Sequence, residues 1–189
     1  MKQLRLPIFN SNIKYYNLRI VPPEEVFSRI IEFKKLFEFA YGKQPLSGSK
    51  PHISLASFKM NSKHQEVLIQ ILEQLSERNR FDLTINGFDA FETSKTLCLN
   101  VTKNGAIRDL HQDLRSLYNT GFKKRLKSFI ISETPHITIA KVNGRRMLKD
   151  SLRYFQENQY HNQIEIDHLT LVSRLKYRTW DWEHQIPLS

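Results

Sequence analysis

The sequence predicts an α+β protein of two pseudo-symmetric lobes, each an antiparallel sheet flanked by helices, with a central cleft. Three observations carry this. Strand-like and helix-like segments run in the order strand, helix, strand, helix, strand, and the same order then recurs with one extra closing strand. Two nearly identical hexapeptides, Pro51-His52-Ile53-Ser54-Leu55-Ala56 and Pro135-His136-Ile137-Thr138-Ile139-Ala140, fill the third element of each repeat. Each starting strand precedes its histidine by about 35 residues, so the register of the duplication is consistent. A single two-lobed domain over 1–189 is expected, with the first motif in a half of about 12–92 and the second in a half of about 93–189.

Tyr15 to Val21 is β-prone and is closed by Pro22-Pro23, after which Val26, Ile30, Phe33, Phe37 and Tyr41 recur at helical spacing. Gly42 to Lys50, with Pro45, Gly48 and two serines, is a loop that delivers the chain to the first histidine strand. Ser62 and Gln65 make a capping-box pattern ahead of the stripe Val67, Leu68, Ile71, Leu72 and Leu75. Phe81 to Ala90 and Thr96 to Val101 read as strands, and Asn104-Gly105 opens a helix with Ile107, Leu110, Leu114 and Leu117 on one face. A basic loop leads to the second histidine strand. A helix from Arg145 to Phe155 and strands near Gln163 to Ser173 and Thr179 to Pro187 complete the chain. In both motif strands His, Ser or Thr, and Ala share one face by alternation, and the aliphatic face should pack on helices.

The 40% hydrophobic content, with twelve Phe and seven Tyr, is that of a folded chain. Apolar runs such as Leu68 to Leu72 fall well short of the about 20 residues a membrane span needs. Met1 to Asn10 carries Lys2 and Arg5 but no apolar signal region, and the lone Cys98, in an apolar strand, reads as a buried structural thiol; a cytoplasmic monomer is the expectation. The net charge of +10, from 29 Lys and Arg against 19 Asp and Glu, favours a polyanionic partner.

A lone His-x-Ser/Thr is weak, and His168-Leu169-Thr170 is a third copy. His168 lacks the Pro-His-Ile context and falls in the strand equivalent to Phe81 to Ala90, so it reads as a structural strand histidine. His64 and His111, on predicted helices, have no second ligand at i+3 or i+4, and His161 and His184 sit in polar surroundings; all four read as surface residues, so neither a metal nor another cofactor is expected. Tyr41-Gly42-Lys43 lacks the upstream glycine of a phosphate-binding loop, which leaves ATP use without a motif. His52 and His136 remain as catalytic candidates, with Ser54 and Thr138 as phosphate-binding hydroxyls. Metal-free chemistry on a phosphoryl group needs a base to activate the attacking oxygen and an acid to protonate the departing one, and histidine serves either role near neutral pH. Hydroxyls on the same strand faces would hold the non-bridging oxygens.

With these paired motifs in a duplicated α+β chain, the sequence resembles the two-histidine (2H) phosphoesterase superfamily, which includes 2′-5′ RNA ligase-like proteins and cyclic nucleotide phosphodiesterases. The resemblance covers nearly the whole chain, including a C-terminal hairpin at Leu169 to Leu175 and Tyr177 to Leu188. Ser54 departs from the commoner threonine but keeps the hydroxyl. It implies a metal-independent phosphoesterase acting on 2′,3′-cyclic phosphate or 2′-5′ linked RNA or nucleotides. Hydrolysis and ligation, which differ in whether water or an RNA 5′-hydroxyl is the nucleophile, stay open, as does which histidine is acid. Two other readings also stay open: a cyclic phosphodiesterase of a non-RNA metabolite, and a non-catalytic RNA- or nucleotide-binding module. For substrate contacts the candidates are Lys123, Lys124 and Arg125 in the basic loop with Lys127, and Arg174, Lys176 and Tyr177 beside Trp180 and Trp182 near the C-terminus.

Overall fold

The computed structural model describes residues 12–189; the Met1 to Asn10 segment read above lies outside the described residues. β1 (Ile13–Ile20) stops just before Pro22-Pro23, and Pro23 stands at the N-cap of α1 (Glu24–Tyr41). β2 (Ile53–Asn61) carries the first motif, then come α2 (Gln65–Leu72), β3 (Phe81–Phe91) and β4 (Thr96–Val101). Asn104 caps α3 (Gly105–Leu117) by accepting from the Ile107 amide at 3.1 Å. β5 (Leu126–Ile131), β6 (His136–Lys141), α4 (Arg145–Gln156), β7 (His161–Ile166), β8 (His168–Leu175) and β9 (Trp182–Pro187) follow.

Three local expectations are corrected. The capping box at Ser62 and Gln65 does not form: Asn61 caps the short turn at Ser62–His64, and Gln65 Oε1 accepts from Tyr16 Oη at 3.1 Å and Lys14 Nζ at 3.2 Å. Tyr16 is buried, which pushes its phenol up to about 12, and a buried hydroxyl needs an acceptor more than an accessible helix start needs a cap. The basic loop contains β5, whose Phe129 and Ile131 cover the edge of β2 beyond Ala56. The single strand expected at Gln163 to Ser173 is two, β7 and β8, parted at Asp167.

All pairings are antiparallel, in the order β7-β3-β4-β6-β2-β1-β8-β9, with β5 also on β2. One strand of each sequence half crosses to the other half's sheet: β3 pairs with β4, and β8 pairs with β1. Laid flat, this order would separate β7 from β8 by roughly 30 Å. Yet Asp167 alone joins them, so the sheet must bend back on itself. Its two halves, β7-β3-β4-β6 and β2-β1-β8-β9, share one register pair, Ile53 with Ile137. The helices cross over as well. Phe33 of α1 meets Phe88 of β3 at 5.0 Å and Phe155 of α4 at 6.5 Å, so α1 and α4 cover the half-sheet of β3 and β4. On the other side Phe58 of β2 meets Phe122 at 6.0 Å, just after α3. There Gly121 lets the chain approach Ile71 of α2, where an added Cβ would sit 2.9 Å from its side chain.

Both motif strands are bulged at the same place. Leu18 faces Ala56 but Arg19 faces Ser54, leaving Leu55 extra; Leu97 faces Ala140 but Cys98 faces Thr138, leaving Ile139 extra. Simple alternation therefore fails beyond the hydroxyl. Ala56 and Ala140, expected on the histidine face, are fully buried because the extra residue turns the strand. A side chain serves a carbonyl at each bulge. Asn17 Nδ2 donates to Ala56 O at 3.2 Å, and Lys34 Nζ donates to Ile139 O at 3.1 Å. Lys34 also donates to Leu46 O at 3.1 Å and Ser49 Oγ at 3.3 Å, tying α1, the loop before His52 and β6 to one nitrogen. Burial pushes this ammonium down to about 8, which still leaves it charged at neutral pH.

Among the described residues, no helix is long and apolar enough to cross a membrane. Lys34→Met strips the donor from two carbonyls and should lower the unfolding free energy by about 1–3 kcal/mol. Urea unfolding measures this, and an unchanged midpoint would show that the tie contributes no stability.

Candidate active site

The site begins with strand parity. Ile53 and Ile137 pair across the junction and are fully buried, so their neighbours His52, Ser54, His136 and Thr138 all leave the opposite face. All four are half-buried. His52 immediately precedes β2 and His136 opens β6, so the one place where the half-sheets touch brings both motifs together.

Each imidazole is oriented in the same way. His52 Nδ1 lies 2.8 Å from Lys50 O, and His136 Nδ1 lies 2.8 Å from Thr134 O. A carbonyl only accepts, so Nδ1–H is the donor and the neutral ring carries its lone pair on Nε2. Their surroundings differ. Burial first, then the positive charges of Arg19 and Lys34 and the neighbouring His136, push His52 down to about 4, against a partial offset from the Lys50 carbonyl. His136 instead packs edge-on to Phe91, with ring centroids 4.8 Å apart.

The turn before His136 is anchored by Glu133, whose carboxylate accepts from Lys103 Nζ at 2.9 Å and from Arg115. The Lys103 hydrogen bond is the largest influence holding that carboxyl below its usual range. His111, read from sequence as a surface residue, is 1% exposed in α3, with Nδ1 3.9 Å from Glu133. His111 shares the buried face of α3 with Ile107, Leu110 and Leu114, which turns it inward, and burial lowers its pKa.

Beside the first motif, Asn17 binds both hydroxyls that flank the bulge, donating to Ser54 Oγ at 3.3 Å and Ser57 Oγ at 3.1 Å. Its Oδ1 accepts from Arg19 Nε at 2.8 Å. Burial lowers the Arg19 guanidinium to about 10, so it stays charged. A cleft of about 1130 Å³ runs from His52 over β1, β8 and β9, lined by Arg19, Lys50, Thr170, Arg174 and Trp180 among others, with His136 outside its lining.

Of the contacts expected from sequence, Arg174 and Tyr177 line this cleft, and Lys176 Nζ sits 4.7 Å over the Tyr177 ring. Lys123, Lys124 and Arg125 lie on the turn into β5, which also carries Lys127. Leu126 of β5 pairs with Met60, so this basic group flanks the end of β2 remote from His52, roughly 26 Å away along the strand. His168, read as structural, lines the cleft with Nδ1 2.6 Å from Asp167 Oδ1, because β8 pairs with β1 and its His168-Thr170 face continues that of Arg19. Asn17, Arg19 and Thr170 were missed. The only sequence signal was the polar alternation of Asn17 and Arg19 within a hydrophobic strand. Among the described residues, no three His, Cys, Asp or Glu side chains group as metal ligands.

A two-lobed antiparallel α+β sheet with paired His-x-Ser/Thr strands agrees with the 2H phosphoesterase resemblance of the sequence. A family model for the 2′-5′ RNA ligase superfamily matches residues 22–178, and the chain belongs to that superfamily. Among solved structures, apo LigT of E. coli aligns with a TM-score of 0.62 and 16% identity over 94% of this chain and 95% of that one. TT0787 of Thermus thermophilus also gives 0.62 and 16%, over 91% and 97%, and E. coli LigT complexed with NADP+ gives 0.58 and 15%, over 94% and 96%. At these identities the likeness is one of fold. No curated protein matches the sequence at a significant level.

Long-range 1H–15N correlation spectra at pH 7 should show the His52 ring as the neutral Nδ1–H tautomer. An Nε2–H tautomer would contradict the bond to Lys50 O.

Proposed function

We propose that the protein is a metal-independent 2H phosphoesterase acting on 2′,3′-cyclic phosphate or 2′-5′ linked RNA ends or small nucleotides. The observation that carries this is the pair of imidazoles on one strand face, each held by its Nδ1 with Nε2 free and each accompanied by a hydroxyl. In the hydrolytic direction, His52 Nε2 takes a proton from water as its oxygen bonds to phosphorus. The bond from phosphorus to one ribose oxygen breaks, and His136 gives that oxygen a proton. Ser54 and Thr138 donate to the non-bridging oxygens. With the 5′-hydroxyl of another strand replacing water and the roles unchanged, the bond from phosphorus to O3′ would break and a 2′-5′ linkage would form; the roles exchange only in the reverse reaction.

The low pKa of His52 supports its role as the base, because it is unprotonated across the neutral range. Imidazoles and hydroxyls beside Arg19 and Lys34 suit an anion, and the two motifs supply no carboxylate that would favour a divalent cation. E. coli LigT, which shares the fold, has been crystallised with 3′-AMP and with ATP, which supports a nucleotide ligand here.

The test is hydrolysis of 2′,3′-cyclic AMP and of cyclic-phosphate-ended RNA in EDTA. Wild type should turn over at an undiminished rate, and His52→Ala or His136→Ala should each lower kcat by about 10²–10⁴. Full activity in both variants would remove these histidines from catalysis, and tight RNA binding without turnover by wild type would identify a binding module. The acid limb of kcat/KM should fall near pH 4, well below the 6.5 of an ordinary histidine. The same shift bears on stability. Between about 4 and 6.5 the unfolded chain binds the proton that folded His52 refuses, so this contribution to stability is lost as pH falls through that window. The difference in acid unfolding between wild type and His52→Ala measures it.

A further inference from the structure

The pseudo-symmetry that equates the two motifs breaks at one position. On β1, Arg19 pairs with Ser54 on one side and with Thr170 of β8 on the other. The equivalent residue on β4 is Cys98, which pairs with Thr138 on one side and with Asp89 of β3 on the other. A guanidinium beside a threonine in one lobe thus answers to a thiol beside an aspartate in the other. A thiol has no cationic form, so that position carries no positive charge, and burial, then Asp89, pushes Cys98 up to about 12 and keeps it neutral.

Arg19 is 6% exposed and, among the described residues, forms no ion pair. Its Nε is satisfied by Asn17, which leaves the terminal nitrogens to the cleft it lines. A cation so enclosed without a counter-ion is costly, and a bound anion removes that cost. Thr170 Oγ1 is buried without a hydrogen-bond partner in the same cleft, and so is Arg174 Nε. The Arg19 guanidinium lies 4.8 Å and that of Arg174 4.7 Å from the centre of the Trp180 ring, on which both are held. Glu183 also lines the cleft and acts favourably on Arg19 at a distance, without pairing with it.

We propose that Arg19 and Thr170, flanked by Arg174, form a second anion subsite in the lobe of His52, which takes the phosphate next to the reacting one. The inference rests on the function proposed above and narrows its substrate class to nucleotides or oligonucleotide ends that carry at least two phosphate groups. Because the Cys98 lobe lacks the subsite, it also orients the substrate, with the second phosphate lying on the His52 side of the reacting phosphorus.

Two measurements at pH 7.5 test this on the full chain. The first compares kcat/KM for a dinucleotide ending in a 2′,3′-cyclic phosphate with that for 2′,3′-cyclic AMP. Wild type should prefer the dinucleotide by about tenfold or more, the scale of one charged hydrogen bond. Arg19→Met should bring the ratio close to one, and Thr170→Val, which swaps an unpartnered hydroxyl for a methyl group, should lower it about threefold. The second is calorimetric and needs no turnover: wild type should bind adenosine 3′,5′-bisphosphate about tenfold more tightly than 3′-AMP, and both variants should narrow that gap. A wild-type ratio near one, or ratios unchanged in both variants, would overturn the subsite. Should Arg19→Met fail to fold, Thr170→Val decides alone. If the bisphosphate preference holds while no cyclic phosphate is hydrolysed, the subsite stands and the proposed activity falls.

Discussion

The contact between Ile53 and Ile137 is the constraint on which the rest of the structure turns. Two half-sheets, each with its own pair of covering helices, meet at that one register pair, and strand parity then sends both histidines and both hydroxyls to the side away from the core. A slip of one residue in either strand would bury an imidazole and expose an isoleucine. Because the junction is so narrow, other devices hold its position. The crossing of β3 and β8 between half-sheets, the single-residue link at Asp167 and the Lys34 tie each couple one lobe to the other.

The bulges reconcile the junction with the sheets on either side. Each inserts one residue directly after the hydroxyl and leaves a carbonyl that a buried polar side chain must satisfy. Asn17, on the carbonyl of Ala56, and Lys34, on that of the extra residue Ile139, perform this task one position apart in the repeat and with different chemistry. The consequences spread from there: Asn17 holds Ser54 and Arg19, while Lys34 holds the loop whose Lys50 carbonyl fixes the His52 ring. Backbone repair and side-chain orientation at the site are thus one network. It also makes the lobes electrostatically unequal, since Arg19 and Lys34 both act on His52, whereas His136 has an aromatic edge beside it.

Much of this was legible in the residues. The element order, the apolar stripes of α1 and α3 and the pairing of two motifs follow from periodicity and from prolines at strand starts, all of them local signals. What escaped was nonlocal. His168 looks like a spurious motif until β8 is placed beside β1. His111 looks like a surface histidine until α3 is docked. Neither Ala56 nor Ala140 signals a bulge, because the extra residues, Leu55 and Ile139, are as apolar as any regular strand residue. The basic group at Lys123 to Arg125 shows the converse, with its charge plain in the sequence and its distance from His52 set by the register of β5 on β2.

By itself, then, the sequence singled out the candidate groups, His52 with Ser54 and His136 with Thr138, and showed that they come as a symmetric pair, because a strand of period two places His and Ser or Thr on one face whatever surrounds it. Only the tertiary structure decided how the two members of that pair differ. The environment of each histidine is built by residues from other strands and helices, brought near by the exchange of β3 and β8, and no window along the chain contains both a histidine and the charges that surround it.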